Sequence, residues 1–199
     1  MVIGVSGVAG SGKDTFFKIF QGLLREREVK SFALAAALKR EVGKWTIPHY
    51  GIDPLNCTRR EKEVIRPFLV FHGVRKRKSS EGRHWVDKLN SEVLPYRNCS
   101  EIAVITDIRY AEYEKDEIHW LKEELNGILV HVSTYTAIPD SSVVVISPPA
   151  NEEESRNDPI LKKNADYTLE WPKIEEGLSV ESELKPYVEE FISQINIKI

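Results

Sequence analysis

The residues best suited to chemistry lie near the start of the chain. Gly7-Val8-Ala9-Gly10-Ser11-Gly12-Lys13 has the spacing G-x-x-x-x-G-K. A bend of this kind aims successive backbone N–H groups at phosphate oxygens, and glycine lets the backbone come close enough to do so. Lys13 would bridge the β- and γ-phosphates of a bound nucleotide, with Gly10, Ser11 and Gly12 supplying the cradle. Thr15 is placed for an α-phosphate. The usual Ser or Thr after the lysine is replaced by Asp14, which can hold magnesium through a water or serve as an acidic first-turn residue that favours the helix dipole.

Two further groups carry suitable chemistry. Thr106-Asp107-Ile108-Arg109 follows an apolar run, and in open α/β sheets ligands bind outside the carboxyl ends of the strands. Asp107 would order a magnesium shell or the acceptor, probing the same crevice as the loop, while Arg109 would offset phosphate charge that grows in the transition state. The competing reading of Arg109 is an ion pair with an acid such as Glu112. Between residues 66 and 83 cations are dense: Arg66, Arg75, Lys76, Arg77, Lys78 and Arg83. An acceptor with its own phosphate needs a second cationic site, and Arg66 and Arg75 are the candidates, with Lys76 and Lys78 left to solvent.

These groups need a scaffold. Val2 to Ser6 predicts a strand buried on both faces, followed by the loop and by a helix with Phe16, Phe17, Ile19, Phe20, Leu23 and Leu24 at helical spacing. Val29 to Ala33 predicts a second strand and Leu34 to Val42 a helix. Thr58 to Glu61 has a capping-box pattern that opens a helix, which Pro67 should kink or split. Trp45 and Tyr50 fall between these two helices, able to stack on a base or to pack. Ser80 or Glu81 to Leu94 is helical, with Trp85 on its apolar face. Ile102 to Thr106 reads as the central strand, Ala111 to Leu125 as a helix ended by Gly127, and Ile128 to Val132 as a fourth strand. Tyr135 to Asp158, with Pro139, Pro148, Pro149 and the acids Glu152 to Glu154, predicts a mobile surface segment. A last strand spans Ala165 to Glu170 and a closing helix Val180 to Asn196. His72, His84, His119 and His131 show no spacing that suggests a metal or a catalytic pair. Alternating strands and helices imply a parallel sheet covered on both faces.

Composition excludes several classes. A chain of 199 residues, 41% of them apolar, suffices for one domain with a true core. The net charge of -3 argues against a surface that neutralises a nucleic-acid polymer. Cys57 and Cys99 lack the paired spacing of a zinc or redox site and read as reduced, cytosolic thiols. The opening apolar run follows no basic segment and is broken by Gly4 and Gly7, so it does not read as a signal peptide; no stretch approaches the roughly 18 apolar residues that span a membrane. A cytoplasmic location is expected, the host cytoplasm if the chain is viral.

The sequence resembles the phage-type deoxynucleoside monophosphate kinases. The resemblance rests on Gly7 to Thr15, with Lys-Asp in place of Lys-Ser or Lys-Thr, and on Ile105 to Arg109. Phe32 to Lys39, Arg66 to Gly73 with His84-Trp85-Val86, Ile128 to Val132, Asn151 to Arg156 and Asn164 to Leu169 are similar to further stretches of that family. It implies a P-loop kinase fold, α/β in three layers, with a five-stranded parallel sheet in a single domain. An acceptor-binding helical part would cover about 35–95 and a lid about 135–158. It also implies ATP with Mg2+ as donor, a deoxynucleoside monophosphate as acceptor, substrate contacts from Lys39 and Trp85, and a lid arginine, Arg156, on the nucleotide. A homodimer is compatible with it. The Ser-Gly-Lys-Asp loop and the stretch 106–109 are also similar to animal-type phosphomevalonate kinases, which keeps another phosphorylated metabolite open as acceptor. A nucleotide-dependent switch is the third alternative, but the sequence has neither an Asp-x-x-Gly switch nor an Asn-Lys-x-Asp motif.

Overall fold

Alternation along the strands decides the layers. In β1 (Val2–Ser6) every residue is buried, with Ile3 and Val5 in one core and Val2 in the other. In β3 (Ile102–Ile108), Ile102 and Val104 join the first core, Ala103 and Ile105 the second. Successive strand side chains point to opposite faces, so two cores mean that both faces are covered. The computed structural model describes residues 1–138, 143–174 and 177–197. One face is covered by α1 (Lys13–Leu23) and α7 (Val180–Gln194). The other carries α2 (Leu34–Tyr50), α4 (Arg83–Val93) and α5 (Glu117–His119) with its continuation.

β2 (Val29–Phe32) pairs with β3, β3 with β1, β1 with β4 (Ile128–Ala137), and β4 with β6 (Tyr167–Pro172), all in parallel. The expected five parallel strands are present. A sixth strand, β5 (Val144–Ile146), was not anticipated; it pairs antiparallel with the end of β4. The Tyr135 carbonyl accepts the Lys173 N–H and the Thr134 carbonyl accepts the Ser147 N–H. Consecutive carbonyls point to opposite edges, so β5 continues along the edge that β1 leaves, beyond the glycine-rich loop 7–12.

Several expectations change. α3 (Arg59–Ser79), with the Thr58–Glu61 capping box formed, runs through Pro67 without a break. Pro67 and Glu63 are exposed, so the carbonyl that loses its helical partner can bond to water. The helix expected over 111–125 begins only at Glu117. Buried Asp116 accepts the N–H groups of Glu112, Tyr113 and Glu117 and acts as the cap. A π turn follows over Trp120–Glu124, with the Leu125 N–H on the Trp120 carbonyl at 3.0 Å. Trp45 and Tyr50 lie on α2, not between helices, where Trp45 stacks on Phe68. Within 135–158 the chain forms the end of β4, β5 and the start of α6 (Glu152–Asn164); Pro139 is outside the described residues. His72 and His84, unpaired in the sequence reading, both hydrogen-bond to Glu41, at 3.0 and 3.2 Å, tying α2, α3 and α4 together. No helix among the described residues is long and apolar enough to cross a membrane.

α7 closes the face that supports the loop helix. Phe191 meets Phe16 at 5.5 Å, Phe20 at 6.0 Å and Tyr167 at 5.4 Å between ring centroids, and is 2% exposed. Phe191→Ala is expected to lower unfolding free energy by about 3–5 kcal/mol, read from urea denaturation; a loss under about 1 kcal/mol would show that α7 does not anchor α1.

Candidate active site

The loop leaves β1 through Gly7, whose φ is 135°. A Cβ there would lie 2.2 Å from the Val132 carbonyl oxygen, so only glycine allows the loop to turn against β4. Gly12, with φ of 90°, is packed in the same way on the Trp171 ring, 2.7 Å from where its Cβ would stand. Between them the Ser11 carbonyl accepts from Thr134 Oγ1 and from Trp171 Nε1, each at 3.0 Å. Thr134 and Trp171 were not singled out from sequence, because only the pairing of β4 with β6 brings them to the loop. Ser11 Oγ is buried and has no hydrogen-bond partner among the described residues.

Lys13 Nζ donates to the Gly7 and Val8 carbonyls, both at 2.8 Å. Burial, and then the nearby Arg109 charge, lower its pKa, opposed by Glu154, Asp14 and Asp107. Together with Gly7, Val8, Ala9, Arg109, Glu154 and Asp158 it lines a cleft of about 50 Å³. The Arg109 side chain is exposed and makes no ion pair among the described residues. Its expected alternative partner, Glu112, is bonded to Arg77 instead, at 2.9 Å. What fixes Arg109 is its backbone: the Glu117 carboxylate accepts the Arg109 N–H at 2.6 Å and the Tyr110 N–H at 3.1 Å.

Asp107 is 7% exposed, and its two oxygens accept the Leu34 and Ala35 N–H groups at 2.7 and 2.8 Å. It thus caps α2, whose own N-cap residue, Ala33, offers no side-chain acceptor. Burial raises the Asp107 pKa, while the Arg109 charge and these bonds oppose the rise. Asp14 is exposed at the second position of α1, and Thr15 is half-buried. His131 lies beneath the loop, with Nδ1 3.1 Å from Ser6 Oγ; burial, aided by the Lys162 and Lys13 charges, lowers its pKa to about 4, so it is neutral at physiological pH.

The other predicted contacts are not brought to this cleft. Arg66 and Arg75 are both exposed on α3. Nine residues at about 100° each place them on opposite sides of the helix, so one phosphate cannot sit between them. Trp85, given a substrate contact by the resemblance, is instead core, as its place on the apolar helix face indicates: it is 7% exposed and its Nε1 donates to the Gly73 carbonyl at 3.3 Å. Lys39 is half-buried on α2 without an ion pair among the described residues. Arg156, expected on the nucleotide, lines a second cleft of about 240 Å³ with Arg77, Lys78, Tyr110, Glu112 and Glu153. Arg77 stands in the cation-rich stretch with no role assigned to it from sequence. It is 5% exposed, bonds bidentately to Asp116 at 2.8 and 2.7 Å, and lies 3.8 Å over the Tyr110 ring. Flanked by Lys76 and Lys78, it carries no local sign of burial in the sequence.

No protein-family model matches the chain, and no curated protein does. Solved structures that it resembles in outline include shikimate kinase from Acinetobacter baumannii in complex with shikimate, at 17% identity, covering 99% of this chain and 95% of that one, with a TM-score of 0.44. Dephospho-CoA kinase from Campylobacter jejuni gives 17%, 98%, 96% and 0.46, and shikimate kinase from Bacteroides thetaiotaomicron 13%, 99%, 99% and 0.47. At these scores the likeness carries no part of the functional argument, which rests on the site itself.

Glu117 gives the site a pH signature. Burial, and then the Asp116 charge, raise its pKa to about 8 from the ordinary 4.5. A carboxyl with a raised folded-state pKa holds a proton that the unfolded chain has released, so its contribution is complete below the ordinary value and is lost as pH rises through the folded one. His131 has the opposite shift, but it is confined below about 6.5. Between about pH 6.5 and 8 the stability of the wild type should therefore fall relative to Glu117→Gln. Urea midpoints for the two proteins across that range check this; parallel curves would mean that Glu117 is already ionised at neutrality.

Proposed function

We propose that the chain is an ATP-dependent phosphotransferase that moves the γ-phosphoryl group onto a phosphorylated small metabolite, with a deoxynucleoside monophosphate as the acceptor. The observation that carries this reading is the convergence on one cleft of Lys13, the loop amides and the Arg109 guanidinium, which makes no ion pair among the described residues. Phosphoryl transfer asks a protein mainly for positioning and for charge placed where negative charge develops. Lys13 and Arg109 supply that charge, and the partial burial of Lys13 strengthens its share. Arg109 is held through its backbone, which leaves the guanidinium free to follow the transferred group.

The carboxylates around Lys13 fit magnesium, which takes hard oxygen ligands and keeps several waters. Asp14 has a solvent-facing carboxylate, and Asp107, its oxygens already bonded to α2, would act through water. When bound, the ion neutralises charge on the β- and γ-oxygens.

The acceptor belongs in the second cleft, in place of the surface between Arg66 and Arg75. The two clefts are neighbours along the chain twice: Arg109 lines the first and Tyr110 the second, and Glu154 lines the first and Glu153 the second. Lys78 and Arg156 supply cations without ion pairs among the described residues, while Arg77 is already neutralised by Asp116 and Glu112. The position of α6 between the clefts supports reading part of 135–158 as a lid that excludes water during transfer.

Release of ADP from ATP should be stimulated by one or more deoxynucleoside monophosphates in a panel that includes phosphomevalonate. Lys13→Ala is expected to reduce the stimulated rate by about 10²–10³-fold. Arg156→Ala should raise the acceptor KM and leave the KM for ATP nearly unchanged. Slow ATP hydrolysis that ignores every acceptor would favour a switch protein over a kinase.

A further inference from the structure

Among the described residues, Glu154 is the acid whose carboxylate reaches an amide of the loop. The Ala9 N–H donates to both of its oxygens at 3.2 Å. The Ala150 N–H donates to the same carboxylate at 3.0 Å, and the Asn151 side chain accepts the Glu154 N–H at 2.9 Å. These bonds fix the first turn of α6 against the loop. One helical turn later Asp158 enters the same cleft, with Oδ1 3.7 Å from His131 Nε2. Burial and the adjacent Glu154 charge push the Asp158 carboxyl up. α6 therefore presents two carboxylates, four residues apart on one face, to the cleft that contains Lys13 and Arg109. Anionic oxygens that accept backbone N–H groups beside two cations reproduce what a polyphosphate would offer there.

Resting on the phosphate-loop reading above, we propose that Glu154 is a built-in competitor for the loop: its carboxylate takes the amide that a polyphosphate oxygen needs, so a nucleotide binds by displacing the first turn of α6. The same contact would make α6 responsive to the occupant of the cleft, because expelling Glu154 frees the turn that also borders the second cleft through Glu153 and Arg156. The alternative role of Glu154 is that of a capping residue, whose loss would weaken α6 without improving affinity for anions.

Isothermal titration calorimetry of the full chain with Mg-ATP and with inorganic pyrophosphate separates these roles. Glu154→Ala should bind both ligands about tenfold more tightly than the wild type, a gain of about 1.4 kcal/mol, and Glu154→Gln, which loses the charge but keeps an acceptor, about threefold more tightly. Glu152→Gln removes an equal charge from the same turn without touching the loop and should change affinity less than about twofold. If the alanine variant fails to fold, the glutamine variant decides, since it keeps an oxygen acceptor for Ala9 and Ala150. Unchanged or weaker binding by the folded Glu154 variants would overturn the inference, and so would equal tightening by Glu152→Gln. Binding that survives Lys13→Ala, or that no variant shows, would overturn the phosphate-loop reading itself and the inference with it.

Discussion

The Ser11 carbonyl is the point on which the site depends. It accepts from Thr134 on β4 and from Trp171 on β6, and Trp171 Nε1 also lies 3.2 Å from Thr134 Oγ1. A glycine-rich loop has many conformations, and ordering each residue costs about 1–2 kcal/mol in entropy. Buried bonds to a carbonyl in mid-loop, with Gly7 against Val132 and Gly12 against the Trp171 ring, select one of them. The sheet order therefore has a chemical consequence: β4 must lie beside β1, and β6 beside β4, for the bend to be held.

A second chain of contacts places the cation opposite the loop. Arg77 on α3 is bonded to Asp116, Asp116 caps the helix that begins at Glu117, and Glu117 holds the Arg109 backbone. Removing one partner of a buried ion pair typically costs about 3–5 kcal/mol, because the other charge is left without compensation. The position of Arg109 is thus tied to a buried network more than to its own side chain. On the other side α6 carries Glu154 and Asp158 into the same cleft. The site balances two cations against two acids.

The loop and the strand-end pair were legible because their chemistry is local. Gly7 to Lys13 specifies a bend by residue type, and Asp107 and Arg109 follow a strand whose apolar run is unbroken. The two cores were legible for the same reason, since unbroken apolar runs along β1 and β3 mark strands covered on both faces. What could not be read depends on distant pairings. Asp107 caps α2 from across 72 or 73 residues, which no local pattern announces. Arg77 looks like its charged neighbours until α3 turns it inward. Arg66 and Arg75 read as acting together because both are arginines in one cation-dense stretch, yet helical phase separates them. Tyr135 to Asp158 read as a loop from its prolines and acids, although Asn151 and Glu154 form a helix start that the sequence already contained.

The central claim is that the loop amides, with Lys13 and Arg109, form an anion site for a polyphosphate. Backbone amide resonances of the ¹⁵N-labelled protein, followed during titration with inorganic pyrophosphate, test it directly. The account predicts saturable shifts concentrated at Ala9 to Lys13 and at Arg109, with the amides of α3 around Arg66 nearly unmoved. Shifts confined to surface lysines and arginines, or no saturable shift in the loop, would contradict it.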